Sequence, residues 1–170
     1  MNSFTKIKKV SALMLTVLLP CLAVAGEAPP NISKLTHVDK QYMGEQRTSL
    51  DDLARINLGR QFNGNKDRDL GILQSLLDRK LVRAEQKQKL QAMGVVMGDL
   101  FARELHMHWV IYDDRLGRSR ALRYKQTDNY LFPMTMISRR REVNNQSTVE
   151  AIYQRAIDLI KPQLPKPRFQ

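Results

Sequence analysis

The sequence predicts an α+β fold, with helices in the first half, then a small antiparallel sheet, then two further helices. Apolar residues recur every three or four positions through the first half, which is the period of a helix with one buried face. At about residue 108 the pattern changes to β-branched and aromatic residues that lead into a turn containing glycine. Helical spacing returns after Pro133. No repeat or low-complexity linker interrupts these segments, so residues 38–160 are predicted to form a single globular domain.

Three helices are predicted before the sheet. Ser49 followed by Asp52 is an acidic variant of a capping box, which indicates the start of the first helix. Gly64 ends this segment, and a second helix carries leucines at helical spacing over residues 70–81. The third helix runs over about residues 84–105 and has the longest apolar stripe, so it is the strongest helix prediction in the chain.

Gly94 and Gly98 lie four residues apart on the third predicted helix. Small residues at this spacing let a second backbone approach closely, either from the same chain or across a helix dimer. The apolar run around the two glycines is short and is bounded by Gln91 and Asp99, so it does not span a membrane. Close packing over the sheet is therefore favoured over a dimer face.

The sheet is predicted from a β-hairpin within residues 108–132. His-Trp-Val-Ile-Tyr at 108–112 forms the first strand, residues 113–117 form the turn, and residues 119–124 form the returning strand. A third short strand at 130–132 can pair with the second. Such a sheet needs a helix over its buried face, and the third predicted helix is the candidate.

Two helices and two irregular ends complete the predicted domain. Pro133 suits the first turn of one helix, and Ser147 with Glu150 forms a capping box that opens the other. Residues 161–170 contain three prolines, which predicts an extended tail. Residues 26–37 show little periodicity and are predicted to be an irregular leader.

The N-terminus has the composition of a secretory signal peptide, predicted over residues 1–25. Three lysines precede the apolar run of residues 10–24, and small residues allow cleavage between Ala25 and Gly26. The run is shorter than the roughly 20 residues of a spanning helix. A lipid anchor on Cys21 is disfavoured because a proline stands directly before it. The sequence therefore predicts an exported protein, periplasmic or secreted, with no transmembrane segment in the mature chain.

Charge and cysteine content limit the chemistry of the exported domain. Cys21 is the only cysteine, so cleavage would leave no disulfide, thiol nucleophile or thiolate ligand.

The formal net charge of the chain is +11, and loss of the three lysines of the signal peptide would leave +8. A surface this positive favours an acidic envelope protein or an anionic polymer or lipid surface as partner. Nucleic acid is not predicted, because export separates the protein from it. The oligomeric state is left open.

Candidate catalytic residues are few. The sequence contains none of the common nucleophile motifs and no glycine-rich phosphate loop. Asp113, Asp114 and Asp128 are the best candidates to supply a carboxylate acid–base pair, although aspartates next to a turn are commonly structural. His106 and His108 could share a face, but a metal site needs a third ligand. The sequence predicts no metal and no cofactor, and it favours a non-enzymatic protein.

Basic residues crowd the hairpin and the helix that follows it. On a strand, Arg118 and Arg120 share a face and Arg123 lies opposite. Guanidinium groups bind carboxylate and phosphate in bidentate fashion, and nearby aromatic rings can add stacking. A solvated charged face is the alternative interpretation. The predicted binding residues are Arg118, Arg120, Arg123, Arg139, Arg140, Trp109 and Tyr130.

Several segments resemble a bacterial family of domains of unknown function, number 3806. They are His-Trp-Val at 108–110, Asp-Asp-Arg-Leu-Gly at 113–117, Arg-Ala-Leu-Arg at 120–123, Asn-Tyr-Leu-Phe-Pro at 129–133 and Ile-Ser-Arg-Arg at 137–140. The resemblance covers about residues 70–160 and implies a compact, often secreted α+β domain, with no activity, cofactor or catalytic residue assigned.

The predicted function, from the charge and the arginines, is non-enzymatic binding of an acidic envelope partner. The alternative is a hydrolase-like envelope enzyme that uses Asp113, Asp114 or Asp128.

Overall fold

The computed structural model describes residues 28–165, so the predicted signal peptide lies outside the described residues. The helices are α1 (His37–Leu58), α2 (Lys66–Asp78), α3 (Lys87–Glu104), α4 (Met136–Glu142) and α5 (Val149–Ile160). The strands are β1 (Asn31–Lys34), β2 (Met107–Asp114), β3 (Gly117–Tyr124) and β4 (Tyr130–Leu131). The predicted α+β fold class is confirmed. None of the helices within residues 28–165 is long and apolar enough to cross a membrane.

The sheet is antiparallel, with strand order β1-β2-β3-β4. The β2–β3 hairpin keeps a regular register from Met107 opposite Tyr124 to Asp114 opposite Gly117. Leu122 and Trp109 stand opposite each other on the face that packs against α3, whereas Tyr112 and Ser119 stand on the outer face. The hairpin predicted from the period-two pattern is present, and the third predicted helix covers its inner face.

The prediction that residues 26–37 form an irregular leader is wrong at two places. Residues 31–34 form β1, which pairs with β2 so that Ile32 stands opposite Tyr112. A strand of four residues with one apolar side chain is too short to show a periodic pattern. Backbone hydrogen bonds to β2 hold it in the sheet, and these leave no mark on the sequence. His37 belongs to α1 rather than to the leader.

α1 begins well before the capping box predicted at Ser49. The observed cap is Thr36, whose side chain accepts a hydrogen bond from the Asp39 amide, while the Asp39 carboxylate accepts from the Thr36 amide. The first turns of α1 are largely polar, and Met43 is their only fully buried apolar residue. The helical period is therefore weak there and becomes strong only from Leu50 onward.

The proline-rich tail is not extended at its start. Lys161–Gln163 forms a 3₁₀ turn that continues α5, and Leu164 packs against the core. Proline is compatible with the first turn of a helix because its missing N–H would be unpaired there. Residues 166–170 lie outside the described residues.

α3 is the central element of the core, and its two glycines explain how the segment after β4 approaches it. A Cβ on Gly94 would lie 2.5 Å from the Met134 Cα and from the Pro133 carbonyl oxygen. A Cβ on Gly98 would lie 2.4 Å from the Trp109 ring. The glycine stripe thus packs against residues of the same chain, as the sequence favoured. This close approach positions the Pro133–Thr135 turn, and α4 directly after it.

Candidate functional site

A groove of about 540 Å³ lies beside β3 and gathers side chains from several elements. β3 contributes Arg118 and Arg120, α4 contributes Arg139, and α1 contributes Tyr42. Phe132, which follows β4, lines the same groove. Three of the five predicted arginines therefore converge at one place, although they come from two elements that are separated along the chain.

A buried carboxylate holds the two β3 arginines in place. Asp39 is only 1 % exposed. Arg118 donates to it from both terminal nitrogens, with Nη1 2.9 Å from Oδ1, and Arg120 donates from Nε at 3.0 Å to the same oxygen. The Arg118 hydrogen bonds hold the pKa of Asp39 well below its usual range, against the opposing effect of burial. Asp39 is therefore an anion that fixes the orientation of two guanidinium groups.

Both arginines keep donors for a ligand. A guanidinium group has five N–H donors. On both Arg118 and Arg120, only some of these donors bind Asp39. The Arg118 side chain is 44 % exposed and that of Arg120 is 22 % exposed. The Arg120 guanidinium also lies over the Tyr42 ring at 4.5 Å from its centroid, which further restricts its rotation. Arg118 and Arg120 are thus preorganised cations in the groove rather than flexible ones.

Aromatic rings form the outer side of the groove. Tyr112 contacts Phe132 edge to face, with ring centroids 5.2 Å apart, and it contacts Tyr130 in the same way at 4.9 Å. Phe132 is 37 % exposed, and Leu116 at the hairpin tip is almost fully exposed. The groove therefore has a cationic side toward the helices and an apolar side on the outer face of the sheet.

Arg123 and Tyr130 lie outside the groove. Arg123 points to the opposite face from Arg118 and Arg120, where Nε donates to the Thr127 carbonyl oxygen at 2.7 Å. Its guanidinium lies 5.5 Å from the centroid of the Tyr130 ring. Both side chains stabilise the loop between β3 and β4. The Tyr130 ring also packs edge to face against Tyr112, which contributes to the groove.

Trp109 and Arg140 have structural contacts. The Trp109 Nε1 donates to Asp99 at 3.0 Å, and the ring packs against Gly98. Arg140 donates to the Met136 carbonyl oxygen on its own helix. Neither residue lines the arginine groove, so the structure does not bring the seven predicted residues into one site.

The three candidate catalytic aspartates are also separated. Asp114 lines the groove, and its carboxylate accepts from the Leu116 amide at 2.8 Å within the hairpin turn. Asp113 stands across the hairpin from Arg118. The Asp128 side chain is 97 % exposed and borders a different depression on the surface. Asp114 and Asp128 therefore do not face a common substrate position.

The two histidines do not share a site. His106 has a left-handed backbone, with φ of 53°, between α3 and β2, whereas His108 lies on the exposed outer face of β2. Within residues 28–165, no group of three or more His, Cys, Asp or Glu side chains is arranged to hold a metal ion.

Sequence reasoning missed Asp39 and Tyr42. The Thr36-to-Asp39 spacing is itself a capping pattern and could have located the start of α1. It could not have shown that the same carboxylate pairs with Arg118, because 79 positions separate them in the chain.

These features define an α+β domain with an arginine-lined groove at the edge of its sheet. The chain belongs to the family described as Domain of unknown function (DUF3806), whose model matches residues 69–153. The matched region includes all of α3 and the hairpin but not Asp39 or Tyr42.

A solved structure from Bacteroides thetaiotaomicron VPI-5482, determined at 1.50 Å resolution, has a similar fold. The TM-score is 0.69 and the identity is 19 %, with 78 % of this chain and 49 % of that chain covered. The similar region is thus about half of the length of that protein. No curated protein matches the chain.

Proposed function

We propose that this protein is a non-enzymatic, exported binding protein that holds an acidic partner in the groove beside β3. The observation that carries the proposal is the convergence of Arg118, Arg120 and Arg139 on one groove. Arg118 and Arg120 are already oriented by Asp39, so they lose little conformational entropy when they bind a carboxylate or phosphate. The high positive charge of the chain adds long-range attraction for an acidic partner.

The acidic groups near the groove support binding rather than acid–base catalysis. Asp39 has a strongly lowered pKa, so it stays ionised and has no proton to donate at neutral pH. Asp114 is engaged with the Leu116 amide in the turn. Both carboxylates therefore have structural tasks, one in orienting arginines and the other in shaping the hairpin.

Replacement of Arg139 with glutamate is expected to weaken binding of poly-L-glutamate about tenfold or more, because a charge-assisted hydrogen bond becomes a repulsion. Arg139 is exposed on α4, so its replacement leaves the core intact. Fluorescence anisotropy with labelled poly-L-glutamate measures the affinity. The affinity should also fall steeply with added salt, because exposed charges are screened within about 10 Å at 0.1 M.

Arg155→Glu is the matched control. Arg155 is exposed on α5, away from the groove, and the change in net charge is identical. We expect it to reduce the affinity only slightly. Equal losses in the two variants would show that binding depends on overall charge and would contradict a specific site at the groove.

A further inference from the structure

Among residues 28–165, no strand pairs with the groove side of the first half of β3, so the groove follows an open edge of the sheet there. β4 is only two residues long and pairs with Leu122 and Arg123 of β3. The first half of β3, from Gly117 to Arg120, has β2 on one side and lines the groove on the other. A strand edge of this kind is a template for pairing with another extended chain.

The alternation of the backbone shows which groups face the groove. The Tyr124 amide donates to the Asn129 carbonyl oxygen, on the β4 side of β3. In an antiparallel strand every second residue directs its N–H and C=O to the same side. The register of β3 is regular. The backbone groups of Arg120 and Arg118 therefore point toward the groove, whereas those of Ser119 point toward β2.

We infer that an extended acidic peptide binds by adding to the sheet as an antiparallel strand along Arg118 and Arg120. This inference rests on the proposed function and specifies its partner as a polypeptide and its mode as β-augmentation. The open edge spans the four residues from Gly117 to Arg120. Because paired strands have the same rise of about 3.4 Å per residue, this edge can pair with about four residues of a peptide.

Charge complementarity gives the sequence pattern of the partner. In an antiparallel pair, residues joined by backbone hydrogen bonds carry their side chains on the same face. A peptide residue bonded to Arg118 or Arg120 thus directs its side chain toward the two guanidinium groups, which favours aspartate or glutamate. The next residue directs its side chain to the outer face, near Tyr112 and Phe132. The groove therefore selects alternating acidic and apolar residues.

The test uses the eight-residue peptide (Glu-Val)₄ and two N-methylated versions of it. Methylation of the glutamate amides removes the donors that would face β3, and methylation of the valine amides removes donors that would face solvent. We expect the first to weaken binding about tenfold or more and the second by no more than about twofold, because only the first removes hydrogen bonds to the edge.

Amide hydrogen exchange gives an independent readout. Bound (Glu-Val)₄ should slow exchange at the Arg118 and Arg120 amides, because these donors become paired with the peptide. The Ser119 amide already faces β2 and should change much less.

Two outcomes would overturn the inference while leaving the proposed function intact. One is equal binding of the two methylated peptides, and the other is failure of (Glu-Val)₄ to bind, each together with an Arg139-dependent affinity for poly-L-glutamate. Failure of both (Glu-Val)₄ and poly-L-glutamate to bind at the groove would instead overturn the proposed function as well.

Discussion

Replacing Asp39 with alanine is expected to lower the free energy of unfolding by about 3 kcal/mol, near the low end of the range for breaking a buried ion pair. The substitution leaves Arg118 and Arg120 close together without their shared anion. It also removes the carboxylate that accepts from the Thr36 amide at the start of α1, an interaction of the helix-capping type. Part of the loss is recovered because both arginine side chains can reach water.

Urea denaturation of the alanine variant measures this loss. Asp128→Ala is the control, because the Asp128 side chain is almost fully exposed and its removal should change stability by less than about 0.5 kcal/mol. A similar, small effect in both variants would show that Asp39 does not stabilise the fold through the two arginines.

The lowered pKa of Asp39 also predicts a dependence on pH. A carboxylate with a folded-state pKa below its unfolded value contributes stability that is fully present above the unfolded pKa of about 3.9. This contribution is lost as the pH falls from that value toward the folded pKa. The stability difference between wild type and Asp39→Asn should therefore be constant from pH 7 to about 5 and shrink below about pH 4. A difference that stays constant down to pH 2.5 would contradict this assignment.

Replacing Gly94 with alanine is the second large effect, and we expect it to destabilise the protein by about 2 kcal/mol or more. The new Cβ would lie 2.5 Å from the Met134 Cα and 2.8 Å from the Met134 carbonyl oxygen. These are backbone atoms, so the clash is relieved only by moving the whole segment that leads into α4. Overpacking outweighs the roughly 1 kcal/mol by which alanine is favoured over glycine inside a helix.

Gly44→Ala is the matched control. Gly44 lies inside α1, and apart from its chain neighbours and the backbone of its own helix, a Cβ there meets no atom of residues 28–165 within 4 Å. That variant should gain up to about 1 kcal/mol from helix propensity alone. Thermal and urea unfolding compare the two variants directly. A stabilising effect of both substitutions would show that the close approach of Met134 to α3 is not required.

Local patterns were sufficient to predict much of the fold. α3 carries an uninterrupted apolar stripe and the hairpin has period-two alternation, so each was predicted near its observed position. β1 and the first turns of α1 were missed because their stability depends on partners far along the chain. β1 is held by β2, and the start of α1 is held by the contact of Asp39 with Arg118.

The sequence by itself determined the α+β class and the placement of Arg118 and Arg120 on one face of a strand, because alternation is a property of the local backbone. Only the tertiary structure decided that Arg139 joins these two arginines. That position depends on the close contact between Gly94 and Met134. The glycine spacing predicts that some backbone approaches α3 closely, but it does not identify the segment that does so. The tertiary structure likewise decided that a buried aspartate from the first helix orients the arginines, since contact across 79 positions follows from packing alone.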